Sequence, residues 1–178
     1  LVMDKIEVAK RYGRRIDGHA PGLRADDAAH YIAAGISTDH ECFSLPEAID
    51  KLAHGMNIII REGSAARNFD ALIPLMDEHA DRLMFCSDDK HPDDLEAGHI
   101  DRLVSRAVKA GYDLFNVLRV ATVNPVRHYG IHVGLLQIGD PGDFILTDDL
   151  LEFRVRQTYI NGVLVAENGA SLLPQGEH

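Results

Sequence analysis

The sequence predicts an α/β fold, a parallel sheet with helical crossovers, followed by a small piece of β structure. Two observations carry this. Between residues 14 and 92, apolar runs ending on polar tips alternate four times with helical segments, most of them closed by glycine. Alternation of this kind is the signature of a parallel sheet whose strands are joined by helices. From Ile131 onward the helical period gives way to short apolar runs and turns. A boundary is therefore expected near residue 131, between an α/β segment at 1–130 and a β segment at 131–178.

Residues 4–13 read as a short amphipathic helix stopped by Gly13. A brief strand follows and runs into the Gly/Pro loop that carries His19. Residues 26–34 are helical up to Gly35, and Ile36 to Glu41 is the next strand, ending on His40. Pro46 opens a helix that Gly55 ends. Met56 to Ser64 is the clearest buried strand, with the tip Arg61-Glu62-Gly63-Ser64. A helix over 66–80 leads to Leu83-Met84-Phe85 and the tip Cys86-Ser87-Asp88-Asp89-Lys90-His91-Pro92. Two longer helices are expected at 94–110 and 113–122, the second ended by Asn124-Pro125. In the β segment, Asn161-Gly162 between apolar runs predicts a hairpin.

Composition narrows the function. The 178 residues carry 18 Lys plus Arg against 28 Asp plus Glu, a formal charge of -10. That balance argues against nucleic acid or an anionic membrane as partner, since both need a cationic face. No apolar stretch nears the roughly 20 residues of a membrane helix, and no signal-like segment opens the chain, which points to the cytoplasm. Two cysteines, Cys42 and Cys86, make no disulfide framework.

Ten histidines are present, and their positions matter more than their number. His19, His40 and Asp88 each fall at the C-terminal tip of a separate strand, the rim where α/β sheets and barrels hold their active sites. Two imidazoles and a carboxylate are a usual ligand set for a catalytic first-row metal with positions left open for water. The chemical need is large. Moving the pKa of water from about 15.7 to about 7 is worth on the order of 12 kcal/mol. A lone carboxylate base does not supply that. Taken singly, each residue also has a plainer reading, a solvated loop histidine or an aspartate capping the next helix. Glu62 either accepts from a substrate N–H or pairs with Arg61, and His91, three residues past Asp88, either orients water or lies on the surface.

At these residues the chain resembles the adenine deaminases of bacteria and archaea, within the amidohydrolase superfamily. The motifs are Gly18-His19-Ala20-Pro21-Gly22-Leu23, Thr38-Asp39-His40-Glu41, Arg61-Glu62-Gly63-Ser64 and Phe85 to Pro92. Gly98-His99-Ile100-Asp101, Ala121 to Pro125 and Asp143 to Leu146 support them in the same order. The resemblance implies strands five to eight of a (β/α)8 TIM barrel, then part of a composite β domain. It implies hydrolysis of adenine to hypoxanthine and ammonia at a binuclear centre of manganese or iron, with zinc as a third option, and a homo-oligomer in the complete protein.

Carried over by motif, His19, His40 and Asp88 are metal ligands, and Asp88 also takes the proton from the attacking water. Glu62 and His91 join it as catalytic residues; Glu62, Ser64 and His91 contact substrate. Glu41 and Asp89 support the ligands from behind. The sequence departs from the family in one large respect: no His-x-His pair occurs. The expectation is half a barrel, inactive as this chain alone. Two alternatives stay open: a cyclic amidohydrolase acting on a dihydropyrimidine or hydantoin, and a non-enzymatic half-barrel that self-associates.

Overall fold

The structure, a computed structural model, describes residues 1–174; positions 175–178 of the expected β segment lie outside the described residues. Helix α1 (Val2–Arg11) leads into β1 (Asp17–Gly18), α2 (Ala25–Ala33), β2 (Thr38–Asp39), α3 (Leu45–Ala53) and β3 (Asn57–Arg61). The chain continues through α4 (Phe69–Leu72) and α5 (Met76–His79) to β4 (Leu83–Cys86). These strands form one parallel sheet in sequential order, β1-β2-β3-β4, in register at Asp17↔Thr38, Thr38↔Asn57 and Ile60↔Phe85. Every crossover runs through helix, so all four C-terminal ends share one rim.

Ile58, Ile59 and Ile60 are consecutive and all buried, the pattern of a central parallel strand. Their core partners include Leu72, Met76, Leu83, Leu103, Val117 and Val120. A smaller cluster of Ile6, Ile36 and Met56 packs against Tyr31 and Ile32 of α2.

The expected helix at 66–80 is broken. Pro74 lies in a 3₁₀ turn, Ile73–Leu75, between α4 and α5, because proline removes a backbone donor and clashes with the preceding turn. The expected helix at 94–110 is two: α6 (Pro92–Ala97) and α7 (Ile100–Lys109). Gly98 between them has φ +146°, a conformation few other residues adopt. The third difference runs the other way. Asn124-Pro125 does not end the helix that begins as α8 (Leu114–Leu118). A π-helical stretch, Arg119–Val123, joins it to α9 (Asn124–Tyr129), and Pro125 falls in the first turn of α9, where its missing N–H costs little. Asn124 Nδ2 then donates to the carbonyls of Ala80 and Leu83, each at 2.7 Å.

Strands β5 (Phe144–Thr147), β6 (Val155–Ile160), β7 (Val163–Glu167) and β8 (Ala170–Ser171) form a separate antiparallel sheet. Asn161 and Gly162 both take positive φ, 51° and 76°, and turn β6 into β7 with Ile160 opposite Val163. Phe153 docks into the main core. Ser105 Oγ donates to the Leu151 carbonyl at 2.6 Å, and Lys109 pairs with Glu152 at 2.6 Å.

Candidate metal centre

Each candidate donor is placed by the end of a strand. Gly18 closes β1 so tightly on β2 that an added Cβ would lie 2.2 Å from the Thr38 carbonyl oxygen. Only glycine permits that approach, and the next residue is His19. Gly18→Ala is therefore expected to push β1 off β2 and lower the melting temperature by several degrees, about 4 °C or more. Thermal unfolding followed by circular dichroism checks this; an unchanged melting temperature contradicts it.

The His19 and His40 rings meet edge to face, with centroids 5.4 Å apart. Glu41 lies between them. Its Oε1 is 3.5 Å from His19 Nδ1 and 3.5 Å from His40 Nε2. One donor atom from each of the three lies within 4.8 Å of the others. Ligands about 2.0–2.2 Å from a shared zinc-like ion stand about 3.5 Å apart in a tetrahedral arrangement, so donor types and spacing fit a divalent metal.

Glu41, expected behind His40, thus supplies the third donor of this cluster. Asp88 stands on the same rim beyond β4, with its carboxylate on Arg61: Nη1 donates to Asp88 Oδ2 at 2.6 Å and also contacts Glu41 Oε1. One guanidinium nitrogen therefore joins the two carboxylates. Arg61 is nearly fully buried, and its Nε has no partner.

The remaining candidates gather on the other side of the β3 tip. Glu62 does not pair with Arg61. Its Oε1 accepts from Arg106 Nη1 at 2.9 Å, and its buried Oε2 has no partner. Arg106 is held by Asp70 and lies 4.1 Å above the Phe69 ring. Ser64 Oγ accepts from the His91 backbone N–H at 2.8 Å and donates to Asp94. Asp89 packs against Gly63, where a Cβ would meet its Oδ1 at 2.0 Å. A cleft of about 220 Å³ opens here, lined by Glu62, Gly63, Lys90, Asp94, Arg102 and Arg106 among others.

Sequence reasoning passed over a buried cluster directly behind the two histidines. Lys51, only 1% exposed, donates to Asp39 Oδ2 at 2.5 Å, Glu47 Oε1 at 2.8 Å and the Ala20 carbonyl at 2.6 Å. Asp39, Cys42 and Glu47 have the donor types of a metal site. Here the ammonium serves as their cation. Burial pushes the Cys42 thiol well up, and the Asp39 carboxylate adds to this, so the thiol stays protonated. Burial raises Cys86 to about 11.

Burial alone would push Asp39 up, but the bonds from Lys51 and the Glu41 N–H hold it below the usual carboxylate range. Burial would pull Lys51 down, and its bonds to Asp39 and Glu47 hold it above an ordinary lysine. The stability Asp39 contributes is present above its unfolded value of about 3.9 and lost as pH falls through its depressed folded one. That of Lys51 is present below about 10.4 and lost as pH rises through its raised folded value. Lys51→Met is therefore expected to lower the melting temperature at neutral pH and to make its alkaline decline shallower. Melting curves between about pH 6 and 11 check this; parallel declines in the two proteins contradict it.

The amidohydrolase family pattern matches residues 1–165, and the chain belongs to that family. Membership implies a divalent metal. Within the family, similar proteins include adenine deaminases. That of Salinibacter ruber is 64% identical over 94% of this chain and 31% of that protein. Those of Sulfurovum sp. and Methanosarcina mazei are 57% and 55% identical over 97% of this chain. The chain thus spans about a third of the length of these relatives. Among solved structures, a β-aspartyl dipeptidase from Fervidobacterium islandicum superposes with TM-score 0.63 at 20% identity, over 79% of this chain and 40% of that one. A prolidase gives 0.63 at 14% identity, over 94% and 48%. These two speak for the fold. No helix among the described residues is long and apolar enough to cross a membrane.

Proposed function

We propose that the polypeptide carrying this chain hydrolyses adenine to hypoxanthine and ammonia, and that residues 1–130 supply half of its catalytic barrel. The small β segment begins near residue 131. What supports the reading is the cluster of His19, His40 and Glu41, to which Arg61 ties the Asp88 carboxylate, in a chain 64% identical to an adenine deaminase. The complete protein is taken to be a cytoplasmic homo-oligomer with a binuclear manganese or iron centre, zinc being the third option.

His19, His40 and Asp88, with Glu41 beside them, would hold the metal. When bound, the metal supplies an acidified water at neutral pH and an electrophile for the developing charge. Water adds to the purine carbon bearing the amino group, forming a C–O bond as the ring C=N π bond opens, and the water's second proton ends on that ring nitrogen. Asp88 accepts the proton that the water loses and returns it to the amino nitrogen, whose C–N bond then breaks to release ammonia. Glu62 and His91 assist this transfer. The unpartnered Glu62 Oε2 supports a role as acceptor for a ring N–H, because an unsatisfied buried acceptor costs about 1–3 kcal/mol until a donor arrives. Ser64 and His91, bonded to each other through the His91 N–H, directly follow the cleft residues Gly63 and Lys90. Asp89 stays behind them against Gly63.

The test is ammonia release from adenine, with ring opening of hydantoin and of dihydroorotate followed in parallel. The complete polypeptide is expected to act on adenine alone, and this 178-residue chain on none. Turnover of either cyclic amide in place of adenine would overturn the reading, as would a complete protein inert on all three that forms stable pairs through its sheet edges.

A further inference from the structure

The two parallel strands nearest the metal centre are very short. β1 and β2 are in register only at Asp17↔Thr38 and Gly18↔Asp39, so their pairing stops one residue before each histidine. Something other than the sheet must fix the distance between His19 and His40. The buried cluster behind them does so at both ends. Lys51 Nζ binds the carbonyl of Ala20, the residue after His19, and the carboxylate of Asp39, the residue before His40. Asp39 Oδ1 accepts from the backbone N–H groups of Ala20 at 3.2 Å and Glu41 at 3.0 Å. Glu47 completes the frame: it accepts from the Gly22 N–H at 2.7 Å through Oε1 and from the Phe43 N–H at 3.1 Å through Oε2. The loop after His19 is anchored at Ala20 and Gly22 and the loop after His40 at Glu41 and Phe43, and every anchor leads to one ammonium.

Stability alone does not account for this arrangement. A buried lysine between two carboxylates is often no better for folding than apolar side chains of the same volume. What it provides is geometry. A site that must hold an ion needs its donors placed within about 0.5 Å.

We propose that Lys51 is a positioning residue for the metal centre: through Asp39, Glu47 and the Ala20 carbonyl it sets the separation of His19 and His40. This rests on the metal reading given above. It adds a determinant of metal affinity that touches neither metal nor substrate and is fed by α3, which contributes no ligand.

The experiment is titration of the complete polypeptide with Co²⁺ alone, read by the visible absorption of the bound ion. His40→Ala serves as the ligand-loss reference, and Val117→Ala, in the core away from the cluster, as a purely structural control. Lys51→Met is expected to weaken Co²⁺ at least about tenfold and alter the absorption band, within the range for lost outer partners. Val117→Ala is expected to keep the affinity within about twofold even where its melting temperature falls as far. Lys51→Met binding Co²⁺ like the parent overturns the proposal, as does an equal loss in Val117→Ala. Should Lys51→Met fail to fold, Glu47→Gln carries the test. A loss of about threefold is expected there, and unchanged affinity overturns the proposal. A parent protein that binds Co²⁺ no better than His40→Ala overturns the metal reading itself and this inference with it; parent binding with an indifferent Lys51→Met overturns this inference alone.

Discussion

His40→Ala is expected to abolish divalent-metal retention by the complete protein and to lower turnover of adenine to background. His40 is the more enclosed of the two imidazoles, and Glu41 Oε1 stands 3.5 Å from its Nε2. Loss of a partner that only supports a ligand costs about 10- to 100-fold in metal affinity. Loss of the ligand itself should exceed the upper end of that range. Equilibrium dialysis followed by elemental analysis checks the first half and ammonia release the second. Metal content equal to that of the parent would remove His40 from the centre.

Asp88→Asn is expected to lower kcat by about 10²- to 10⁴-fold, the usual contribution of a positioned proton acceptor. The substitution suits the backbone, since Asp88 has φ 44° and asparagine tolerates the left-handed region. Arg61 keeps a neutral oxygen to bond, and the His19, His40 and Glu41 group remains whole. The amide oxygen of asparagine can still ligate an ion but takes no proton, so metal affinity should fall less than turnover, a split that a misfolded site would not give. Steady-state kinetics beside metal titration measures both. A kcat within about threefold of the parent would leave no role for Asp88 in proton transfer.

The sequence exposes the strand tips well, because an apolar run halted by charge is a local pattern. His19, His40, Glu62 and Asp88 all lie beside the ends of parallel strands for that reason. Arg61 was also within reach. Neighbouring residues on a strand point to opposite faces, so Arg61 and Glu62 were poorly placed to pair, and Arg61 turns instead to Glu41 and Asp88. Lys51 was not within reach. Glu47 and Lys51 have the i,i+4 spacing of an ordinary surface pair, and nothing local tells that their side of α3 faces the sheet. Proline gave both outcomes: Pro74 breaks its helix, while Pro125 is carried through by a wider turn just before it. That turn depends on Asn124 reaching Ala80 and Leu83, residues more than forty positions away.

The C-terminal segment is tied mechanically to the cleft at Glu62. Ser105 and Lys109 grip Leu151 and Glu152, while Arg106, on the same turn of α7, steadies Glu62. Removing everything after Gly130 would free that helix on its outer flank and let the Glu62 carboxylate wander. Loss of a segment that lies outside the reaction chamber would then be felt as a rise in KM.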